Sequence, residues 1–404
     1  MGTSGKARSA LLFTLLLGAV LAALVATVGT MRQAEAAASP EKIVFASERT
    51  MGKGVSNPTG DAEIFRMNPN GTGVRQLTFN QADDFGPNLS PDGQKIAYES
   101  IGSQPSNPEG DREVYVMNAD GSGITNLTNN RATLNDRTPE FSPDGQKIAF
   151  VSEGEQVGNP QADSEIYAMN LDGSDQKNLT NNGDLLHEVG FSFSPDGQKI
   201  AYTSFGPQAS NPEGEPEVYV MSASDGSGQK NLTNNDGVVA DQDPSFSPEG
   251  QKIAYTSDGP QTSNPVGGDE VYVMNSDGSN QKNLTNNGWD TSDRAPTFSP
   301  DGQRVLYKSQ GGQASNPEGD DEVYAMSALD GTSKKNLTNT GAGVDEFFSD
   351  LSPDGQKIVY TSDGVQTSNP QGDREIYVMN APDGSGKKNL TNNNARDYEP
   401  EWGR

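Results

Sequence analysis

Residues 293–309 read DRAPTFSPDGQRVLYKS. Two apolar stretches, PTF and RVLY, flank Ser299-Pro300-Asp301-Gly302. Pro presets φ and Asp-Gly closes a tight hairpin, so the stretch reads as two strands joined by a turn. The chain continues, after a loop, as DEVYAMSALDGTSKKNLTN, residues 321–339. That segment supplies a third strand (EVYAMS), a second turn and a short fourth strand (KNLT). Val, Ile, Tyr and Thr dominate these runs and suit strands. The second and third strands are apolar on both faces, so each sheet needs cover on both sides.

The unit recurs. SPDG or SPEG begins at Ser90, Ser142, Ser194, Ser247, Ser299 and Ser352, in steps of 52 or 53 residues. Four-stranded antiparallel sheets at a fixed period, each covered on both faces, predict an all-β fold: a β-propeller. A solenoid needs polar capping repeats, and none is visible. The second strand occurs seven times, from KIVFAS at Lys42 to KIVYTS at Lys357, and so do the third and fourth. The first strand precedes only six SPDG or SPEG turns. YEPEW (398–402) supplies the seventh, with Trp402 where the other units carry Leu89, Phe141, Phe193, Phe246, Phe298 and Leu351. The expectation is seven blades, the C-terminal strand completing the first blade and leaving no open edge.

Residues 1–38 read as a targeting segment. Lys6 and Arg8 precede an apolar run from Ala10 to Val28, followed by Ala34-Glu35-Ala36 and Ala36-Ala37-Ala38. The segment is a signal peptide, or an uncleaved anchor given the run's length. Residues 39–404 form a single propeller domain on this reading, exported to the periplasm, the cell surface or the medium. The chain has no cysteine, which excludes disulfides, thiol chemistry and cysteine zinc sites. Its formal net charge of −27 opposes nucleic acid and anionic lipid and suits cations or basic partners. Membrane contact is expected only through an uncleaved N-terminal segment, and the protein is expected to be a monomer.

Alternating strand directions put every long loop on one rim. Each loop between second and third strands carries Asn-Pro, from Asn57-Pro58 to Asn369-Pro370, and most of the acidity falls on this rim. Loops of this length are usually functional when they are not disordered. An acid also stands five residues before the large first-strand residue in every unit: Asp84, Asp136, Glu188, Asp241, Asp293, Glu346 and Asp397. With the first strand innermost, these seven are expected around the channel mouth, as a partner- or cation-binding ring or as carboxylates that fix their loops. Trp289 is a possible partner anchor on the same rim.

The repeats resemble the TolB-type, or PD40, WD40-like β-propeller repeat. The resemblance rests on DRAPTFSPDGQRVLY, DEVYAM and NLTNN and spans about 42–402. It implies an exported propeller of the kind used for protein–protein contacts in the cell envelope. The N-terminal α/β domain of TolB is absent, as is any hydrolase segment with a G-x-S-x-G elbow.

Three functions follow from these residues. The first is a non-catalytic scaffold holding a basic envelope protein or peptide on the acidic rim. The second is calcium binding, without another cofactor, through i, i+2 pairs at the third strand: Asp61/Glu63, Asp111/Glu113, Asp163/Glu165, Asp320/Glu322 and Asp373/Glu375. The third is a lyase or hydrolase at the channel mouth. Its one imidazole would be His187 beside Glu188, and no catalytic constellation is recognised.

Overall fold

The computed structural model describes residues 41–403, apart from 131–133, 156–158, 182–185, 236–238, 260–263, 266 and 288–289. The targeting segment and Trp289 lie outside the described residues. Glu41–Arg404 is one compact unit.

The described residues form 28 strands. They make seven four-stranded antiparallel blades, two of which touch through a single parallel bridge, Arg112 to Asn135. In the second blade the strands are Asp83–Leu89, Lys95–Ile101, Arg112–Asn118 and Thr125–Asn126. The second and third strands are buried along nearly their whole length, as two-sided apolar strands require. In the second blade Ile96 pairs with Met117 and Tyr98 with Tyr115, whose rings lie 5.6 Å apart. Each core cluster draws on two adjacent blades, so the cores lie between blades.

The turn between first and second strands shows why Ser-Pro-Asp-Gly recurs. Ser90 Oγ donates to Asp92 Oδ1 at 2.6 Å and accepts from Lys95 N at 2.9 Å. Gly93 takes φ 66°, where an L side chain is strained.

The ring closes as the strand count predicts. Asp397–Trp402 pairs antiparallel with Ile43–Ser47, with Trp402 opposite Ile43 as Leu89 is opposite Ile96. Trp402 is buried beside Ile43, Phe45 and Val359, joining first and seventh blades in one core.

The innermost strand is longer than PTFS suggests. It runs seven residues in most blades, for instance Ser292–Phe298, and carries a bulge at its middle. The bulge residue has positive φ in six blades: Gly86, Thr138, Gly190, Asp243, Ala295 and Glu399. Pairing therefore continues past the bulge, and the acids expected in a loop become strand residues.

Candidate functional site: the long-loop rim and the channel mouth

The rim loops are built alike. In the second blade, Asn107 Nδ2 donates to the Asp111 carbonyl at 2.7 Å, and Asn107 Oδ1 accepts from Gly110 N at 3.0 Å. Gln104 and Asn107 exchange backbone hydrogen bonds, and Gln104 Nε2 reaches Ser100 Oγ at 2.8 Å. Ser106 and Tyr115 share a hydroxyl–hydroxyl bond at 2.9 Å. The same framework stands at Asn211, Asn316 and Asn369. These bonds bury the asparagine and leave Pro-Glu tips exposed at 108–109, 212–213 and 317–318.

The seven ring acids do not line the mouth. Asp84, Asp136, Glu188, Asp241, Asp293, Glu346 and Asp397 are each at most 1% exposed. Each sits beside the glutamate that starts the preceding blade's third strand, and those seven glutamates are at most 2% exposed. Where the joint is described in full, one residue bridges the two acids. Asn80 N donates to Glu63 Oε1 at 2.9 Å and its Nδ2 to Asp84 Oδ2 at 2.8 Å. Asn130, Asn235, Asn287 and Asn393 repeat this, and Thr340 does so with its hydroxyl. Threonines of the Asn-Leu-Thr strands donate to the same glutamates, as Thr128 does to Glu113. At the joint of second and third blades burial pushes both carboxyls upward, Glu113 to about 8 and Asp136 to about 6. Side chains alternate across a strand, and the acid falls on the face turned to the previous blade. The motif points to the acids but not to their bridge, the last asparagine of NLTNN.

The candidate calcium pairs divide. Glu63, Glu113, Glu165, Glu322 and Glu375 belong to these joints. Asp61 accepts from the Thr59 hydroxyl, and Asp111 Oδ2 from Leu134 N at 3.2 Å. Asp163 lies buried at its strand start. Among the described residues Asp373 holds both carboxylate oxygens buried without a side-chain partner, and the buried Asp320 carboxylate faces the Val344 backbone N–H. Among the described residues no three His, Asp or Glu side chains converge as a metal site. His187 stacks on Phe205 at 5.2 Å, and its Nδ1 accepts from Ser164 N at 3.4 Å.

The mouth itself mixes charges and rings. The residue after each ring acid is Phe85, Arg137, Val189, Gln242, Arg294, Phe347 or Tyr398, all half-buried. Arg112 lies over Phe85 at 4.9 Å and pairs with Glu99 at 3.2 Å. Lys308 and Arg374 lie over Phe347 at 4.7 and 5.0 Å. Deeper in the channel the innermost strands stitch to one another. Glu401 Oε1 accepts from Leu89 N at 3.0 Å, Asn88 Oδ1 from Phe141 N at 3.0 Å, and Asp350 Oδ2 from Trp402 N at 2.9 Å. Burial and the neighbouring Asp350 raise the Glu401 carboxyl well above its usual range.

Seven such blades, with a strand from each end of the ring sharing one blade, define a closed β-propeller. The TolB β-propeller domain family, PD40, matches residues 103–206 and 190–364. More than half of the chain is matched, and the chain belongs to this family. The Tol-Pal system protein TolB of Francisella tularensis subsp. mediasiatica (strain FSC147) is 30% identical over 207 residues. That stretch is 51% of this chain and 41% of the relative, so the chain matches about two fifths of that relative's length. The β-propeller domain of the Trilobed protease from Pyrococcus furiosus superposes with a TM-score of 0.58 at 14% identity, covering 88% of this chain and 94% of that one. Oligogalacturonate lyase from Vibrio parahaemolyticus gives 0.55 at 15%, covering 82% and 81%. At these identities the two structures share the fold alone.

Proposed function

We propose that this protein is an exported, non-catalytic scaffold that holds a basic protein or peptide of the cell envelope on its long-loop rim. The observation that carries the reading is the set of rigid Asn-Pro loops presenting exposed glutamates on one side of an acidic propeller. The hydrogen bonds of Asn107, Asn211, Asn316 and Asn369 hold these loops in shape, which lowers the entropic cost of binding on them. The ring acids support this surface from beneath by fixing the joints between blades. The TolB relative, named for the Tol-Pal system, agrees with an envelope setting.

The test is a pull-down from envelope extract with mature protein and with Glu109→Gln/Glu213→Gln/Glu318→Gln. A partner retained by the first, lost by the variant and released by salt is the expected result. Salt-insensitive binding, equal for both, rules the reading out.

A second reading is calcium binding, supported by the buried carboxylate oxygens of Asp320 and Asp373 at the starts of their third strands. It predicts a higher melting temperature in calcium than in chelator, and an unchanged one removes it.

A further inference from the structure

The rim is not equivalent all the way round. Five large apolar side chains are exposed among the described residues, and three lie in long-rim loops of one sector. Val365 of the seventh blade is 70% exposed, Met51 of the first 84%, and Phe79, which leads from first to second blade, 60%. The other two, Ile124 and Leu329, belong to turns of the opposite rim. Inside the same sector the channel mouth is aromatic in three consecutive blades: Phe347, Tyr398 and Phe85. The corresponding positions elsewhere are Arg137, Val189, Gln242 and Arg294.

Two first-blade segments of this sector also depart from the repeat. The first blade's loop reads ERTMGKGVSNPTGD (48–61) where the second reads IGSQPSNPEGD (101–111). Phe79 occupies the place held by Asn129, Asn181, Asn234, Asn286, Asn339 and Asn392, all with positive φ. The loops meet in space: Glu48 N donates to the Arg396 carbonyl at 3.0 Å, and Asp84 N to the Ala62 carbonyl at 2.7 Å. The joints here are as tight as elsewhere, so the repeat has departed toward apolar side chains at the surface, where they serve no core.

We propose that the sector formed by the seventh, first and second blades is the anchoring half of the partner interface. It takes the apolar side chains of a protein segment whose lysines and arginines lie on the exposed glutamates of the flanking loops, Glu109 and Glu318, clear of Arg112 and Arg374. Charge complementarity fixes the occupant: a chain of net charge −27 repels anionic lipid and acidic peptides, while exposed apolar side chains reward an apolar counterpart. Aromatic and apolar anchors then carry binding energy, and the acidic loops carry rate and selectivity. The inference rests on the scaffold reading and assigns where on the rim the partner is gripped.

The experiment uses a random twelve-residue phage-displayed peptide library, selected on the mature protein. Enriched peptides are measured against three proteins: the wild type, Met51→Gln/Phe79→Asn/Val365→Gln, and the opposite-rim variant Ile124→Thr/Leu329→Gln. All substitutions are at exposed positions, and equal melting temperatures check the fold. The expected peptides combine Lys or Arg with Leu, Ile or Phe, and lose about tenfold in affinity on the first variant only, as removing anchor side chains does. Basic peptides without apolar residues, bound equally by all three, overturn this inference and leave the scaffold reading standing. Failure to enrich any basic peptide overturns both.

Discussion

Arg49 does at one joint what no residue does at the other described ones. Its Nη2 meets Asp397 Oδ1 at 2.6 Å, its Nε donates to Ser47 Oγ at 2.8 Å, and its guanidinium lies 5.3 and 5.0 Å from the rings of Phe45 and Phe65. In the second blade a neutral glutamine, Gln104, bonds the equivalent serine, Ser100. The ion pair therefore sits where the C-terminal strand meets the first blade, the one joint that no chain connectivity within the blade enforces. Replacing Arg49 with Gln leaves a buried carboxylate without its charge partner. A loss of about 3 kcal/mol is expected. Adding Asp397→Asn should recover most of it, because the uncompensated charge goes too. Urea unfolding of the four proteins in this cycle measures both values. Equal stability of Arg49→Gln and wild type contradicts the clasp.

At the scale of the element, the bulge of the innermost strand is the feature the sequence concealed. The period, the turns, the paired apolar strands and the shared first blade are all written in local chemistry: Ser-Pro-Asp-Gly, alternating Val and Tyr, and Trp402 at a Leu or Phe position. The bulge position instead reads Gly86, Thr138, Gly190, Asp243, Ala295 and Glu399, which share no propensity. Its conformation is set by neighbours: Glu99 Oε1 accepts from Thr138 N at 2.6 Å, and Glu399 Oε2 from Gly86 N at 2.8 Å. Without the bulge in view, the ring acids look like loop residues facing the mouth, and with it they are strand residues facing the joint. Four non-glycine bulge residues lie between φ 51° and 55°, a region L side chains rarely adopt. Ala295→Gly should raise stability by about 0.5 kcal/mol, the relieved strain exceeding glycine's greater unfolded-state entropy. Thr138→Gly should gain more, because a β-branched residue is the poorest fit to this region. Thermal melts rank the two, and destabilisation by both counts against a strained bulge.

At the scale of the whole molecule, the joints make the ring one cooperative object, and two consequences follow. Deleting 397–404 removes the inner strand of the first blade, Trp402 from a shared core and one joint acid. The expected result is a protein whose melt loses its single sharp transition and which exposes the edge of Ile43–Ser47. A truncated protein that melts like the intact one excludes closure by this strand. The second consequence concerns protons. Burial raises Glu113 to about 8, Glu217, Glu270 and Glu375 to about 7, and Asp136, Asp241 and Asp293 to about 6. In the unfolded chain these groups lose their protons near pH 4. Between about pH 4 and 8 the folded ring therefore binds more protons than the unfolded chain, and stability falls as pH rises through that window. The turn aspartates oppose this only at lower pH. Serine hydroxyls and backbone N–H groups hold Asp92, Asp144, Asp301 and Asp354 below their usual range, so their stabilisation is lost as pH falls through those lowered values. Maximum stability is thus expected near about pH 4, where the two sets of carboxyls balance, more acidic than for a protein whose carboxylates are mostly exposed. Melting temperatures from pH 4.5 to 9 test this on the full chain. Asp136→Asn/Asp241→Asn/Asp293→Asn should flatten the alkaline decline, since each amide removes one titrating member of a joint and keeps a hydrogen-bonding partner for the bridging asparagine. A melting temperature that rises steadily from pH 5 to 8.5 contradicts protonated joints, because ionised pairs at this burial would then have to stabilise the ring.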